Sequence, residues 1–217
     1  MTLSPKDASR LTREICGLAP IVPVLVIEDA STAHPLAEAL VAGGLPALEV
    51  TLRTPAALEA IRAMSGAPGG HVGAGTLITP EDVRAAKVAG AAFGVSPGAT
   101  DELLAACEAE QLPLLPGAAT ATEAMRLLAR GYGMLKFFPA EASGGAPALK
   151  AIGAALPQIT FCPTGGISPA NAENYLSLSN VLCAGGSWVA PKDLIAAGNW
   201  DGIELLARQA AQLGGSA

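Results

Sequence analysis

The sequence predicts a (β/α)8 TIM barrel with an additional N-terminal helix, built as a single domain over residues 1–217. Three observations carry that prediction. Short runs rich in valine, isoleucine and leucine alternate with amphipathic segments of helix length. Strand centres recur at intervals of roughly 20 to 26 residues, the space of one strand, one helix and two short loops. Eight such units follow one another with no long linker and no break in composition. An open doubly wound sheet is the competing layout, but it normally has about five to seven strands and carries G-x-G-x-x-G after the first, which is missing here.

In chain order, residues 5–17 form an amphipathic helix with Ala8, Leu11 and Ile15 on one side and Arg10, Arg13 and Glu14 toward solvent. The near-continuous β-branched run 21–27 reads as a strand buried on both faces, as in a parallel sheet. A helix then starts from Ser31-Thr32-Ala33-His34 and stops at Gly43-Gly44. The pattern continues with strand 47–52 and helix 55–64, strand 72–75 and a helix from the Thr79-Pro80-Glu81-Asp82 start to Gly90, and strand 92–96 and helix 100–111. Strand 113–116 and helix 120–130 follow, then the strand around Lys136 and helix 146–156, strand 159–163 and helix 169–176. Strand 181–184 closes the series, with 194–196 and 201–213 as final helices.

Composition narrows the function classes. Hydrophobic residues make up 51% and charged residues 15%, a composition with a large core to bury. The longest apolar run, 19–27, contains two prolines and is about half of a membrane span, so no membrane association is expected; the N-terminus also lacks a secretory h-region, which predicts a cytoplasmic protein. A net charge of -6 and no basic stripe argue against nucleic acid as a partner. Cys16, Cys107, Cys162 and Cys183 are widely spaced and read as core thiols. With His34 and His71 the only histidines, neither a catalytic metal nor another cofactor is expected.

In a barrel the active site lies at the C-terminal strand ends, which directs attention to the residues there. Lys136 sits in the middle of Met134-Leu135-Lys136-Phe137-Phe138-Pro139, where strand alternation gives it the face of Met134 and Phe138. Taken alone it reads as an edge-strand lysine snorkelling to solvent. Burial instead disfavours the ammonium form and leaves an amine able to attack a carbonyl. Glu49, Thr51 and Arg53 lie at i, i+2 and i+4, one face of a strand, which the barrel turns inward. They read either as an internal ion pair or as a proton carrier in Glu49 and a carboxylate fork in Arg53. Thr76 follows Gly73-Ala74-Gly75 and adds a hydroxyl. Gly165-Gly166 and Gly185-Gly186-Ser187 end the seventh and eighth strands, a frequent phosphate site in barrels, with helix starts near Ser168 and Ser187 expected to add their positive termini. The inferred partner is a phosphorylated, oxygen-rich small molecule.

These stretches, Leu48-Glu49-Val50-Thr51-Leu52-Arg53-Thr54, Val72-Gly73-Ala74-Gly75-Thr76, Leu135-Lys136-Phe137-Phe138-Pro139-Ala140-Glu141, Phe161-Cys162-Pro163-Thr164-Gly165-Gly166-Ile167 and Gly185-Gly186-Ser187-Trp188, closely resemble the 2-keto-3-deoxy-6-phosphogluconate aldolase family in order and spacing. The resemblance implies a metal-independent class I aldolase of (β/α)8 fold, usually a homotrimer, that cleaves a phosphorylated 2-keto acid to pyruvate and glyceraldehyde 3-phosphate in the Entner-Doudoroff pathway. It makes Lys136 the Schiff-base lysine and Glu49 the general acid/base. Arg53 and Thr76 would bind the substrate carboxylate, and Gly165, Gly166 and Ser187 the phosphate. Thr164 would lie near the substrate hydroxyls, with Phe138 and Pro97 shaping the pocket wall. A relative acting on 4-hydroxy-2-oxoglutarate or the galactonate epimer, a phosphosugar epimerase or isomerase, and a catalytically silent ligand-binding barrel remain as alternatives.

Overall fold

Parallel strands alternating with helices dominate the computed structural model, which describes residues 2–214. Met1 and residues 215–217, the ends of the expected single domain, lie outside the described residues. After helix α1 (Pro5–Cys16) come β1 (Ile21–Leu25), α2 (Ala33–Ala42), β2 (Ala47–Thr51), α3 (Ala57–Met64), β3 (His71–Gly75), α4 (Pro80–Val88), β4 (Phe93–Val95) and α5 (Asp101–Ala109). Then follow β5 (Leu114–Leu115), β6 (Gly117–Ala118), α6 (Ala121–Arg130), β7 (Met134–Phe137), α7 (Gly145–Ala155), β8 (Thr160–Pro163), α8 (Ala172–Leu176), β9 (Ala184–Gly186), α9 (Lys192–Ala196) and α10 (Trp200–Ala211).

The strands form a curled six-stranded parallel sheet in the order β5-β4-β3-β2-β1-β9 and a three-stranded one in the order β6-β7-β8. Pro116 separates β5 from β6 because it has no N–H to give the ladder. Its carbonyl still accepts from the Lys136 N–H at 2.9 Å, so the chain keeps its direction through the break. On the other side, a single parallel bridge joins Phe161 of β8 to Val181, and another joins Thr164, just past β8, to Gly185 of β9.

Strand alternation divides the apolar residues into two layers. Leu25, Leu48, Val50, Leu135, Phe137 and Phe161 belong to the larger one, which the helices cover, and Phe137 meets Phe161 edge to face at 6.4 Å. Val22, Ala47, Phe93, Val95, Leu115, Met134 and Cys162 form the smaller one on the opposite strand faces. Cys16, the last residue of α1, joins this inner layer with Ile15 packed against it, so α1 abuts the inner layer. Ser9 Oγ accepts from the N–H of Gly133 at 2.8 Å and fixes the helix to the start of β7.

Several local expectations change. The buried face of α1 is Ala8, Ser9, Thr12 and Cys16, with Leu11 and Ile15 only partly covered, because Ser9 and Thr12 find hydrogen-bond partners inside. Helix α2 is entered from Asp29, whose carboxylate caps a single 3-10 turn by accepting from Ser31 N–H at 2.9 Å, while the Thr32 side chain caps nothing. The eighth helix begins at Ala172 rather than residue 169, because the Asn171 side chain accepts from Ser168 N–H at 2.8 Å and closes a turn first. The last strand covers Ala184–Gly186, with Val181 reduced to a single bridge. The α4 and α6 starts carry reciprocal capping boxes, Thr79 with Asp82 and Thr120 with Glu123.

Candidate active site

Strand β7 sets Lys136 on the same face as Met134 of the inner layer, and only 4% of the residue is exposed. Strand β2 brings Glu49, 3% exposed, to the same place. Lys136 Nζ lies 3.1 Å from Glu49 Oε1 and 3.5 Å from Oε2, the only ion pair among the described residues with both partners buried. Desolvating two charges is costly, and here each offsets the other's penalty. The contact sets a buried amine within direct hydrogen-bond reach of a buried carboxyl group. Glu49 fits because its side chain lies over a glycine of β3 two residues beyond its register partner Gly73: a Cβ on Gly75 would lie 2.6 Å from Glu49 Cγ. The Phe138 ring centroid is 5.3 Å from Lys136 Nζ and forms an aromatic wall above the pair.

Arg53 departs from the inward placement expected of it. Strand β2 ends at Thr51, whose hydroxyl donates to the carbonyl of Leu25 at 2.8 Å, and a tight turn follows in which Arg53 N–H donates to Thr51 carbonyl. Arg53 is therefore exposed at the mouth, where its Nε donates to Thr76 Oγ1 at 3.4 Å. Thr76 has φ +62, a conformation costly for a β-branched residue and one that places its hydroxyl against Arg53.

A cavity of about 280 Å³ opens beside Arg53 and is lined by Phe138, Thr164, Gly165, Gly166 and Ser187. Gly165 and Gly166 have φ of +104 and +79, the left-handed region where glycine alone is unstrained. Their carbonyls are engaged away from the cavity: Gly165 O accepts from Glu141 N–H at 3.1 Å and Gly166 O from Asn171 Nδ2 at 3.0 Å. The N–H groups of Gly166 and Ser187 donate to no protein acceptor among the described residues, which leaves donors for an anion. The expected helix termini do not contribute, since α8 starts at Ala172 and α9 at Lys192, past Ser168 and Ser187. Pro97 does not line this cavity; its carbonyl packs against Gly117, the β6 partner of Lys136. Sequence reasoning did not single out Val24, Val26 and Ile167 of the cavity wall. Val24 and Val26 belong to a run apolar on both faces, which hides which side meets a ligand.

Among the described residues no group of three or more histidine, cysteine, aspartate or glutamate side chains is placed to hold a metal ion. The arrangement supplies a buried amine, an adjacent proton carrier, a guanidinium with a hydroxyl, and a glycine loop with free amides. Together these can form and hydrolyse an imine on an anionic keto acid.

Residues 12–206 match the family model for KDPG and KHG aldolase. The chain is similar to the 2-dehydro-3-deoxy-phosphogluconate aldolase of Pseudoalteromonas atlantica, with 52% identity over 92% of this chain and 93% of that one. Among solved structures, it is similar to the 2-keto-3-deoxy-6-phosphogluconate aldolase of Zymomonas mobilis with 3-phosphoglycerate, at TM-score 0.88 and 49% identity over 94% and 96% of the two chains. It is also similar to the KDPG aldolase of Legionella pneumophila with pyruvate captured as a covalent carbinolamine, at TM-score 0.88 and 48% identity over 92% and 97%.

Proposed function

The chain belongs to the KDPG and KHG aldolase family, and from that membership we infer a class I aldolase that cleaves 2-keto-3-deoxy-6-phosphogluconate to pyruvate and glyceraldehyde 3-phosphate. The observation that carries the assignment of roles is the buried Lys136–Glu49 contact of 3.1 Å beside a cavity with an anion-ready glycine loop. Lys136 Nζ adds to the substrate ketone, and Glu49, through a water, protonates the departing hydroxyl of the carbinolamine. The resulting iminium is the electron sink for breaking the bond between the third and fourth carbons. Removal of the proton from the hydroxyl on the fourth carbon releases the aldehyde. The enamine left behind is protonated and the imine hydrolysed to pyruvate.

Arg53 and Thr76 hold the carboxylate of the pyruvate half, and Gly165, Gly166 and Ser187 hold the phosphate. Thr164 meets the substrate hydroxyls; Phe138 closes the wall, and Pro97 supports it from behind Gly117. Phosphate binding remote from the reacting bond orients the centre. Borohydride added with pyruvate is expected to reduce the imine and fix a label on the peptide containing Lys136. A label on Lys150 or any other lysine would overturn the assignment. Because the matching family covers KHG as well as KDPG aldolases, 4-hydroxy-2-oxoglutarate is the second substrate to assay.

The fold is read as a closed (β/α)8 barrel of a single domain, supported by the strand order on both sides of Pro116, the bridges at β8, and an outer core running from Ala8 to Ala210. A homotrimer is carried over from the family resemblance, and exposed Ile78 and Val88 offer apolar surface for such a contact. A cytoplasmic setting is supported by four unpaired thiols.

A further inference from the structure

Three residues outside the substrate cavity hold the loop that contributes the free Gly166 N–H. Glu141, Asn171 and Tyr175 line a separate cleft of about 770 Å³, and none of them lines the cavity beside Arg53. The Tyr175 hydroxyl donates a hydrogen bond to Glu141 Oε1. Glu141 in turn donates its backbone N–H to Gly165 carbonyl at 3.1 Å, and its side chain lies so close that a Cβ on Gly166 would stand 2.6 Å from Glu141 Cγ. From the other side, Asn171 Nδ2 donates to Gly166 carbonyl at 3.0 Å while its Oδ1 accepts from Ser168 N–H at 2.8 Å. Both glycine carbonyls are thus tied outward. The Gly165 carbonyl shares its peptide plane with the Gly166 N–H and the Gly166 carbonyl lies in the next plane, so the two bonds fix the planes on both sides of Gly166 and with them the direction of its N–H. We propose that Tyr175, Glu141 and Asn171 are positioning residues that clamp the Gly165–Gly166 loop with its amides aimed at the substrate phosphate. The clamp acts through the backbone and touches no reacting atom.

The chemistry of the clamp suits that role. Tyr175 is 1% exposed. Burial, followed by its hydrogen bond to the Glu141 carboxylate, pushes the phenol well above its ordinary range, so it stays a donor at any working pH. Glu141 lines the outer cleft and is absent from the cavity lining, so its negative charge turns toward Tyr175 rather than toward the bound anion. A donor loop left unclamped would have to be ordered by each incoming phosphate, which weakens binding of that group alone.

The proposal rests on the phosphate-binding reading of this loop, and the test separates the two. The probes are 2-keto-3-deoxy-6-phosphogluconate and its unphosphorylated counterpart, assayed by pyruvate release. Wild type is expected to prefer the phosphorylated substrate; no preference would sink the phosphate reading itself. In Tyr175→Phe and Asn171→Ala the ratio of kcat/KM for the two substrates should fall about tenfold, the loss expressed mainly as a raised KM for the phosphorylated one. Glu141→Gln, which keeps an acceptor for Tyr175 and the same backbone N–H, should restore most of the ratio that Glu141→Ala loses. A wild-type preference retained in all three disruptive variants, or equal losses on both substrates, would leave the phosphate site standing and refute the clamp.

Discussion

Glu49 sits 3% exposed with Lys136 as its charged partner, the placement on which the proposed acid/base role rests. Replacing it tests the role without opening a cavity. Glu49→Gln keeps the volume and an acceptor for Lys136, so the circular dichroism spectrum should be unchanged while kcat falls about a hundredfold or more, the usual contribution of a positioned acid/base. Turnover within a few-fold of wild type would remove Glu49 as the proton carrier. The sequence marked both residues through strand alternation, since each is a charge in an apolar run. It gave no hint of Glu141 with Tyr175, whose contact spans 34 positions between the turn after β7 and helix α8 and obeys no local period.

At the scale of elements, β3 matters through what it lacks. Its Gly75 is the β2 neighbour of Thr51 and leaves the space that the Glu49 side chain fills. Gly75→Ala should therefore displace Glu49 and lower kcat at least about tenfold, with the urea midpoint shifted less than in a comparable core overpacking. Unchanged turnover would mean that the carboxylate has another place to lie. Helix starts were readable wherever one side chain caps its own helix, as Thr79 and Thr120 do. The start at Ser31-Thr32-Ala33-His34 holds although Asp29 caps a turn before it, and the start expected at residue 169 moves to Ala172, where the Asn171 side chain closes a turn first. A capping residue looks the same in sequence whether it opens a helix or closes a turn.

For the molecule as a whole, two apolar layers shut the thiols away from solvent. Cys16, Cys162 and Cys183 meet in the inner layer, and Cys107 lies in the outer one, none more than 2% exposed. Burial, with Glu108 nearby, pushes the Cys107 thiol up to about 12, and contacts from Cys16 and Cys162 together with burial hold Cys183 well above its ordinary value. A thiol must lose its proton to react, which Cys107 and Cys183 resist at pH 8, and burial shuts Cys16 and Cys162 away from a reagent. An aromatic disulfide reagent at that pH should find no fast-reacting thiol in the native protein and all four in urea. One promptly labelled thiol would show that a layer opens well before global unfolding.

The sequence by itself determined the alternation of strands and helices, the inward face of β2 and β7, and the glycine pairs at two strand ends, because periodicity and backbone freedom are local properties of the chain. Its likeness to a family supplied the roles. Tertiary structure decided that Lys136 and Glu49 lie 3.1 Å apart although 87 positions separate them, that Arg53 leaves the strand to reach Thr76, and that α8 begins at Ala172, past the turn that Asn171 closes after the glycine loop. Each of these depends on how far one strand end stands from another across the curled sheet, a distance that the spacing of residues along the chain does not contain.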